Sequence, residues 1–373
     1  MDQTADVVVV GGGVIGCFIA YELSKAGLEV VVVEKGQVGA EASSAAAGLL
    51  VPLHMAEEER ALFELHLAST KMFPTFVPEL EEETGISVEY IPSGILRVAL
   101  NEKEETARLS QFQKLGEAFG MAITRLDAAE LHSLEPALAP IVCGGILSHD
   151  EAYINNGRLV LALARGASVH NARFHEGCLA TGVRRTNGRF LALQTNEGEI
   201  SAGHLVVATG AWSRIFCEAL DMTIPVTPAR GQMLAVATIQ RLLQRPINSS
   251  SGALVPRADG SVHVGATVEH VGFDKRNTPE AIADLLERGT TVVPALSDGR
   301  VERMWSGFRP FCEDGLPVIG GLPTWENVSV AAGHFTMGIT GSPITAKIIK
   351  ELIVDGHWDQ SMEIFSPARF ADS

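Results

Sequence analysis

Cysteine is scarce and without pattern in this chain of 373 residues. The sequence has no Cys-X-X-Cys pair and no Cys/His spacing of the kind that binds metals, and its number of cysteines is odd. Neither a disulfide framework nor a metal site is therefore predicted, and we expect reduced, mostly buried thiols in a cytoplasmic protein. The five are Cys17, Cys143, Cys178, Cys217 and Cys312.

Long apolar runs and an excess of positive charge are lacking too. No apolar segment reaches the roughly twenty residues that cross a bilayer as a helix. The chain has 29 basic and 45 acidic residues, and the resulting formal charge of −16 repels nucleic acids and anionic membrane surfaces. We therefore expect no nucleic-acid partner and no membrane span. A cleavable leader is not expected either, because no basic segment precedes the first predicted strand, which contains Val7.

What the chain does have is a nucleotide-binding signature near its start. An apolar run at residues 7–10 leads to Gly11, Gly13 and Gly16 in GxGxxG spacing, then to an amphipathic stretch and a second apolar run that ends at Glu34. Glycines at this spacing allow a tight turn, the approach of a pyrophosphate to the helix N-terminus and close helix–strand packing. Glu34 is placed to accept hydrogen bonds from both ribose hydroxyls, which disfavours NADP. The sequence predicts a dinucleotide site.

Two further segments are rich in small residues. Residues 39–50 combine two glycines with several alanines and the pair Ser43–Ser44, and residues 208–213 read Ala-Thr-Gly-Ala-Trp-Ser after an apolar run. We interpret the first segment as backbone laid against a flat ligand, with an ordinary alanine-rich helix as the alternative. The second is interpreted as a turn of the nucleotide-binding domain.

Two domains that share an interface are expected at this length, with an α/β fold that is α+β overall. Predicted helices include 57–84, 102–119, 158–168, 279–288 and 343–354, the last capped by Ser342 with Pro343 in its first turn. Predicted strands include 86–90 and 94–100. We assign residues 1–84, 144–221 and 309–373 to the nucleotide-binding domain, and 85–143 and 222–308 to a mostly antiparallel second domain.

These segments, in this order, resemble the D-amino-acid oxidase family of flavoproteins, and within it the glycine oxidases of thiazole and thiamine biosynthesis. Other segments that carry the resemblance are 228–232, 265–267, 307–310, 314–317 and 333–339. The resemblance covers nearly the whole chain. It implies a Rossmann-like FAD-binding domain of the D-amino-acid oxidase and glutathione reductase type, with an antiparallel substrate domain. A second GxGxxG, which a nicotinamide dinucleotide would need, is absent from the sequence.

The resemblance also implies which residues contact FAD. Glu34 would bind the adenosine ribose, the pair Ser43 and Ser44 the pyrophosphate and ribityl region, residues 47–49 the isoalloxazine edge, and Cys178 the adenine through its backbone. Noncovalent binding is expected, because Cys312 is not in register with the cysteine that attaches flavin in related sarcosine oxidases. The remaining implied contacts are Gly11, Gly13, Val14, Ile15, Gly16, Lys35, Ala46, Ala47, Gly48, Leu49, Ala208, Thr209, Gly210, Trp212, Arg309, His334, Phe335, Thr336, Met337, Gly338, Ile339 and Thr340.

Arg309 is the predicted catalytic residue. It lies among small and apolar neighbours, where a guanidinium needs an anionic partner, and a substrate carboxylate held by its planar fork would place the α-carbon over flavin N5. A buried salt bridge is the alternative. His54 and His334 are weaker candidates for a catalytic base, since a histidine in a glycine-rich loop commonly bonds the backbone. Arg230 and Arg257 are predicted to form ion pairs at the surface or between the domains rather than to hold the substrate.

The sequence departs from the glycine oxidase pattern around the predicted substrate pocket. Ala253 stands where that family has a tyrosine that helps hold the carboxylate, Thr336 where it has an arginine near the entrance, and Val268 where it has a methionine. The pocket is therefore expected to accept a larger or N-substituted amino acid.

The expected activity is FAD-dependent oxidation of glycine, sarcosine or a small D-amino acid, with hydride transfer to flavin N5 and reduction of oxygen to hydrogen peroxide. A dehydrogenase that passes electrons to a quinone or a carrier, and a flavin-binding protein without turnover, remain alternatives. The sequence is also compatible with a homo-oligomer.

Overall fold

The computed structural model describes residues 3–52 and 60–371 of the chain, in two large sheets flanked by helices. The strands are β1 (Gln3–Val10), β2 (Val30–Glu34), β3 (Leu49–Leu50), β4 (Ile95–Ala99), β5 (Ile123–Asp127), β6 (Gly144–Ser148), β7 (Ala152–Tyr153), β8 (Arg173–Glu176), β9 (Ala180–Thr186), β10 (Arg189–Thr195), β11 (Gly198–Val207), β12 (Val226–Ala237), β13 (Ile247–Ser249), β14 (Gly252–Pro256), β15 (Ser261–Gly265), β16 (Arg300–Cys312), β17 (Val318–Gly321) and β18 (Val328–Ala332).

Eleven α-helices lie among these strands in the described part of the chain. They are α1 (Val14–Lys25), α2 (Ala42–Ala45), α3 (Arg60–Thr70), α4 (Phe73–Thr84), α5 (Glu102–Glu104), α6 (Ser110–Ala118), α7 (Ala128–Leu134), α8 (Asn156–Val169), α9 (Ser213–Glu218), α10 (Pro279–Val292) and α11 (Gly338–Lys350). Several short 3-10 turns and two π-helical turns, Glu105–Leu109 and Glu351–Asp355, extend or connect them.

The first sheet is built around β1. Its central order is β17-β18-β11-β1-β2-β8, in which β1 runs parallel to both β2 and β11, and β10 and β9 pair as an extension of β11. The valines of β1 and β2 are buried on both faces, as expected for central parallel strands covered on two sides. Helices α8 and α11 pack on α1, which follows β1 directly. This arrangement confirms the predicted Rossmann-like nucleotide-binding fold.

The second sheet has the order β16-β12-β15-β14-β13-β4-β6-β5. All neighbours in it are antiparallel except β4 and β13. Leucines and valines on one face pack against α10 and form a separate core, for example Leu234, Val264 and Leu285. Strand β6 lies in this sheet, although residue 144 was predicted to reopen the nucleotide-binding domain. The proposed division at 84/85, 143/144, 221/222 and 308/309 stays a prediction.

Some local predictions were wrong. Residues 86–90 form no strand. The helix predicted at 102–119 is present as one helical stretch over 102–118, in which a π-helical turn connects α5 to α6. The last helix starts at Gly338 instead of near Pro343, which lies inside it. Because Pro343 has no N–H to bond the carbonyl of Ile339 four residues earlier, the Ser342 hydroxyl donates to that oxygen at 2.9 Å instead. Ser342 therefore does not cap the helix.

In the described ranges, 3–52 and 60–371, no helix is both long and apolar enough to cross a membrane.

Candidate cofactor and substrate site

The glycine-rich loop between β1 and α1 packs directly against the end of β11. Gly11 has φ +110°, and a Cβ placed on it would lie 2.3 Å from the carbonyl oxygen of Ala208. A Cβ on Gly16 would lie 1.9 Å from the carbonyl oxygen of Gly11. Both positions therefore require glycine, for the tight turn and the close packing of helix on strand that the spacing predicts.

The N-terminus of α1 opens beside this loop. Gly13 precedes the helix without a capping side chain, and the first turn carries no acidic residue. One amide is held from outside the helix, since the Val14 N–H donates to Ser43 Oγ at 2.9 Å. The partial positive charge at this end, together with the hydroxyl of Ser43, makes an anion site suited to a pyrophosphate.

A cavity of about 320 Å³ lies next to this N-terminus, at the carboxyl ends of β1 and β2. Glu34 is on its wall, and its carboxylate accepts the N–H groups of Gly12 and Gly36, each at 2.8 Å. These bonds orient the carboxylate, whose further lone pairs can accept ribose hydroxyls. The Cys178 N–H already donates to the Glu34 carbonyl at 3.0 Å, so a backbone contact from Cys178 to a ligand falls to its carbonyl oxygen.

Aromatic and cationic side chains close the same cavity. The ammonium of Lys35 lies 3.0 Å from the centre of the Trp212 ring, and burial lowers the pKa of Lys35. The Phe273 ring stacks on Trp212, with 5.0 Å between the ring centroids. The predicted cofactor residues that line this cavity are Gly11, Gly13, Glu34, Lys35, Ser43, Cys178, Ala208, Thr209, Gly210 and Trp212.

A second cavity of about 390 Å³ continues from the first and reaches the second sheet. Both cavities touch Gly13, Ser43 and Ala208, so they meet at the N-terminus of α1. This joined shape, with an anion site at its middle, fits a dinucleotide. The predicted residues that line the second cavity are Gly13, Val14, Ile15, Ser43, Ala46, Ala47, Gly48, Leu49, Ala208, Gly210, Arg309, His334, Phe335, Thr336, Met337, Gly338 and Ile339, with Ala253 and Val268 from the substrate-pocket set.

Three predicted cofactor residues lie outside both linings. Gly16 packs helix on loop, the Ser44 hydroxyl donates to the Gly39 carbonyl at 2.6 Å, and Thr340 is buried with its hydroxyl 3.4 Å from the Leu49 carbonyl. His54 lies outside the described residues. In contrast, the corrected start of α11 brings its uncapped N-terminus to the cavity through Gly338 and Ile339.

The segment between the two cavities, residues 43–49, is fastened from the second sheet. The Trp305 indole N–H donates to the Ala45 carbonyl at 3.1 Å, and Arg257 Nη2 donates to the Ala47 carbonyl at 2.8 Å. On the other side, the Asn156 amide donates to the Ser43 carbonyl. The segment contains the end of the short helix α2, a bend at Ala46 and, at Leu49, the start of β3, so it is not one continuous alanine-rich helix. The contact of its backbone with a flat ligand stays a prediction.

Arg257 itself corrects a prediction. It is 7 % exposed and has no carboxylate partner among the described residues. Its guanidinium donates to backbone carbonyls of Ala47 and Ile154 and to His263 Nδ1, and burial lowers its pKa to about 10. Sequence reasoning missed this role, and also Trp305 and Asn156, because the acceptors are backbone carbonyls about 100 to 260 residues away.

Arg309 projects from β16 into the second cavity and is partly buried. Its single hydrogen bond within the described chain runs from Nη1 to the Thr267 carbonyl at 2.9 Å. No carboxylate of the described residues pairs with it, and desolvation lowers its pKa to about 10. Even so, the group is cationic at neutral pH and offers the rest of its donors to an anion in the cavity.

Arg230 forms ion pairs as predicted, but its guanidinium is buried and its partners lie in the same predicted domain, 222–308. It is 3 % exposed, pairs with Glu269 and lies 3.4 Å from Asp274 Oδ2. His334, also buried, shares a hydrogen bond of 2.9 Å with the Thr345 hydroxyl, and burial lowers its pKa to about 4. A neutral ring tied to a buried hydroxyl favours the structural interpretation of His334 over the catalytic one.

The three departures from the family pattern all face the second cavity. Ala253 lies on β14 opposite Gly265 of β15, Thr336 lies in the turn before α11, and Val268 is exposed in the loop that follows β15. The side chains at these positions are small and bring no charge to the cavity wall.

Comparisons with known proteins agree with this architecture. A family model described as FAD-dependent oxidoreductase, DAO, matches residues 6–352. The chain is 32 % identical over 355 residues to the glycine oxidase of Geobacillus kaustophilus, covering 95 % of this chain and 94 % of that enzyme. The crystal structure of glycine oxidase from Geobacillus kaustophilus superposes with a TM-score of 0.93 at 31 % identity, covering 98 % of this chain and 99 % of the other.

A longer protein is similar as well. The bifunctional protein ThiO/ThiG of Trichormus variabilis is 35 % identical over 372 residues, which are 99 % of this chain and 55 % of the relative. The chain thus spans about half the length of that relative. The match over nearly all of the present chain, together with the glycine-rich loop and the joined cavities, shows that it belongs to the DAO family of FAD-dependent oxidoreductases, as its motifs suggested.

Proposed function

We propose that this chain oxidises the carbon–nitrogen bond of a small amino acid or an N-substituted amino acid. The observation that carries the proposal is Arg309, a desolvated guanidinium in the second cavity that has no carboxylate partner among the described residues. A substrate carboxylate supplies the missing charge and can be held bidentately by the planar fork.

The residues present fit FAD. The uncapped N-terminus of α1 and Ser43 suit the pyrophosphate, Glu34 suits the ribose, and the segment 43–49 offers backbone to a flat ring. When bound, FAD supplies the two-electron acceptor for the hydride of the substrate α-carbon.

The protein's own part in the reaction is orientation and exclusion of water. Arg309 fixes the carboxylate, so the α-carbon and the amine take one orientation in the cavity. The apolar lining keeps water away, with Met233, Met337 and Ile339 among its members. No protein base is needed, because an amine that binds in its neutral form can lose hydride directly, and the neutral His334 is bonded elsewhere.

The overall reaction that we propose balances with oxygen as the oxidant. One amino acid, one water and one oxygen molecule give an oxo acid, ammonia or an alkylamine, and hydrogen peroxide. The proteins named glycine oxidase that this chain resembles support the choice of oxygen over a quinone or a protein carrier. The small side chains at Ala253, Thr336 and Val268 support a substrate bulkier than glycine, such as an N-methylated or small D-amino acid.

Anaerobic titration tests the proposal. The purified protein is mixed without oxygen with a panel of glycine, D-amino acids and N-methyl amino acids, and the flavin absorbance is followed. We expect at least one carboxylate-bearing amine to bleach the flavin, and readmitted oxygen to restore the colour with one hydrogen peroxide per turnover. No bleaching by any member would contradict the proposal, while bleaching reversed only by a quinone would assign the chain as a dehydrogenase.

Noncovalent binding of FAD is a separate expectation. Acid precipitation should release the flavin into the supernatant, since Cys312 is buried and burial raises its pKa to about 12, which disfavours the reactive thiolate. Flavin that stays in the pellet would show covalent attachment.

A further inference from the structure

Arg309 contacts a polar cluster formed by Arg230, Gln232, Thr267 and Glu269. The only hydrogen bond of Arg309 to the described chain runs to the backbone carbonyl of Thr267, at 2.9 Å. The Thr267 side chain is held in turn, because its hydroxyl donates to Glu269 Oε1 at 2.5 Å and accepts the Gln232 N–H at 2.9 Å.

Glu269 is the centre of this cluster. Besides the Thr267 hydroxyl, its carboxylate accepts the Gln232 side-chain amide at 2.9 Å and a guanidinium N–H of Arg230. Its backbone is paired as well, with the Glu269 N–H donating to the Arg230 carbonyl at 2.9 Å and the Arg230 N–H to the Glu269 carbonyl at 2.8 Å. Burial alone would raise the pKa of Glu269, but hydrogen bonds from Arg230, Thr267 and Gln232 outweigh it and lower the pKa.

The cluster also pairs one arginine, Arg230, with a carboxylate and leaves the other, Arg309, without one among the described residues. Arg230 is paired with Glu269, and its other terminal nitrogen donates to the carbonyls of Asp274 and Arg276 at 3.1 and 3.0 Å. Arg230 is therefore occupied, while Arg309 keeps its charge for the cavity. Between them lies Gly231, where a Cβ would sit 2.3 Å from Arg309 Nη1, so the guanidinium of Arg309 lies flat against the backbone of β12.

We propose that Glu269 is a positioning residue for the substrate carboxylate. It holds Thr267 so that the carbonyl of that residue aligns Arg309, and it pairs with Arg230 so that this neighbouring guanidinium does not compete with Arg309 for the anion. This inference rests on the proposed function for its biological meaning, but its core is a claim about anion binding by Arg309. That claim is testable without turnover.

The test uses acetate as a non-reacting carboxylate, with its dissociation constant read from the shift it causes in the flavin absorption spectrum. We expect Glu269→Gln, which keeps the shape but loses the charge, to weaken acetate binding about tenfold, and Glu269→Asp to restore part of the affinity. The FAD content of both variants should equal that of the parent. In turnover, Glu269→Gln should reduce kcat/KM for an amino acid but not for the corresponding amine that lacks a carboxylate.

Glu135→Gln is the matched control. Glu135 is a buried carboxylate of the same half of the molecule, and it pairs with Arg245 at 3.0 Å outside the linings of both cavities. We expect this variant to bind acetate as the parent does. Equal losses in Glu135→Gln and Glu269→Gln would show a general effect on stability and overturn the proposal, as would unchanged acetate binding in Glu269→Gln.

Thr267→Val covers the case in which Glu269→Gln does not fold. This variant keeps the carbonyl that Arg309 contacts but removes the hydroxyl held by Glu269 and Gln232, and we expect it to weaken acetate binding severalfold. Unchanged binding would overturn the inference. Failure of the proposed function has a different signature, since acetate would still bind through Arg309 while no amine bleached the flavin of the parent.

Discussion

We propose that the two ends of the joined cavity recognise their ligand parts in different ways. At the adenosine end, the contacts come from backbone amides, a helix N-terminus and the carboxylate of Glu34, all of which are supplied by neighbouring stretches of the first sheet. At the substrate end, the decisive group is one side chain, Arg309, delivered by β16 of the second sheet. On the proposed function, cofactor binding depends mainly on main-chain geometry, whereas substrate binding depends on a single uncompensated charge.

The arginines at the substrate end differ in whether a carboxylate of the protein neutralises them. Three arginines line the second cavity, and two of them have carboxylate partners: Arg97 with Glu151, and Arg288 with Asp284. Arg309 has none among the described residues. Because a buried charge without a partner is costly, a pocket that leaves one arginine unpaired is built for an anionic ligand.

Removal of Arg309 should have the largest effect on catalytic efficiency. A small effect would contradict the contrast drawn between the two ends of the cavity. A hydrogen bond to a charged group contributes about 1.5–3 kcal/mol, so Arg309→Ala and Arg309→Lys should each lower kcat/KM by roughly ten- to hundredfold or more. FAD content should stay the same, because the adenosine end is intact. Arg303→Ala, an exposed arginine on the same strand, is the control and should leave both quantities unchanged.

Glu34→Arg tests the other end, and its effect should be confined to the cofactor. The substitution replaces an acceptor of two backbone N–H groups and of the ribose by a donor, so FAD should dissociate about tenfold more readily, measured by flavin fluorescence after dialysis. Glu29→Arg, an exposed change of the same type near the start of β2, is the control. Retention of FAD equal to the parent's would show that Glu34 does not hold the ribose.

A smaller effect is expected from filling the substrate end. Ala253→Tyr combined with Thr336→Arg adds donors and removes volume at two positions that line the second cavity. The ratio of kcat/KM for glycine to that for an N-methyl amino acid should rise severalfold, about 1 kcal/mol, as expected for a change in pocket volume. An unchanged ratio would show that the N-methyl group of the substrate does not lie near Ala253 and Thr336.

The smallest effect concerns acid stability. Burial lowers the pKa of His334 from 6.5 to about 4, so between these values the unfolded chain binds a proton that the folded chain does not. The free energy of unfolding should therefore fall as the pH drops from 6.5 towards 4, by at most about 1.4 kcal/mol per pH unit from this group. His334→Gln should flatten that slope and the exposed His357→Gln should not, as measured by denaturant unfolding. Equal slopes in all three proteins would contradict the burial argument.

The same contrast explains what the sequence could predict. The glycine-rich loop was predictable because Gly11 and Gly16 act through local backbone geometry at fixed spacing, and Glu34 follows at the end of the next strand. Arg309 was predictable from its apolar surroundings. The cluster around Glu269 and the hydrogen bond from Arg257 to the Ala47 carbonyl could not be predicted. Their partners are carbonyls and side chains that come together only in the folded sheet. The predicted start of α11 was wrong because Pro343 was interpreted as a first-turn residue. Pro343 lies inside the helix, where the Ser342 hydroxyl bonds the Ile339 carbonyl that Pro343 cannot.

The central claim, that Arg309 binds the substrate through its carboxylate, is tested most directly by anaerobic flavin reduction with two amines and two proteins. The amines are sarcosine and dimethylamine, which differ by the carboxylate, and the proteins are the parent and Arg309→Ala. We predict that the carboxylate speeds reduction of the parent by roughly ten- to hundredfold or more, and that this advantage falls to about one in Arg309→Ala. An advantage of the same size in both proteins would show that the carboxylate is bound elsewhere, and would contradict the account.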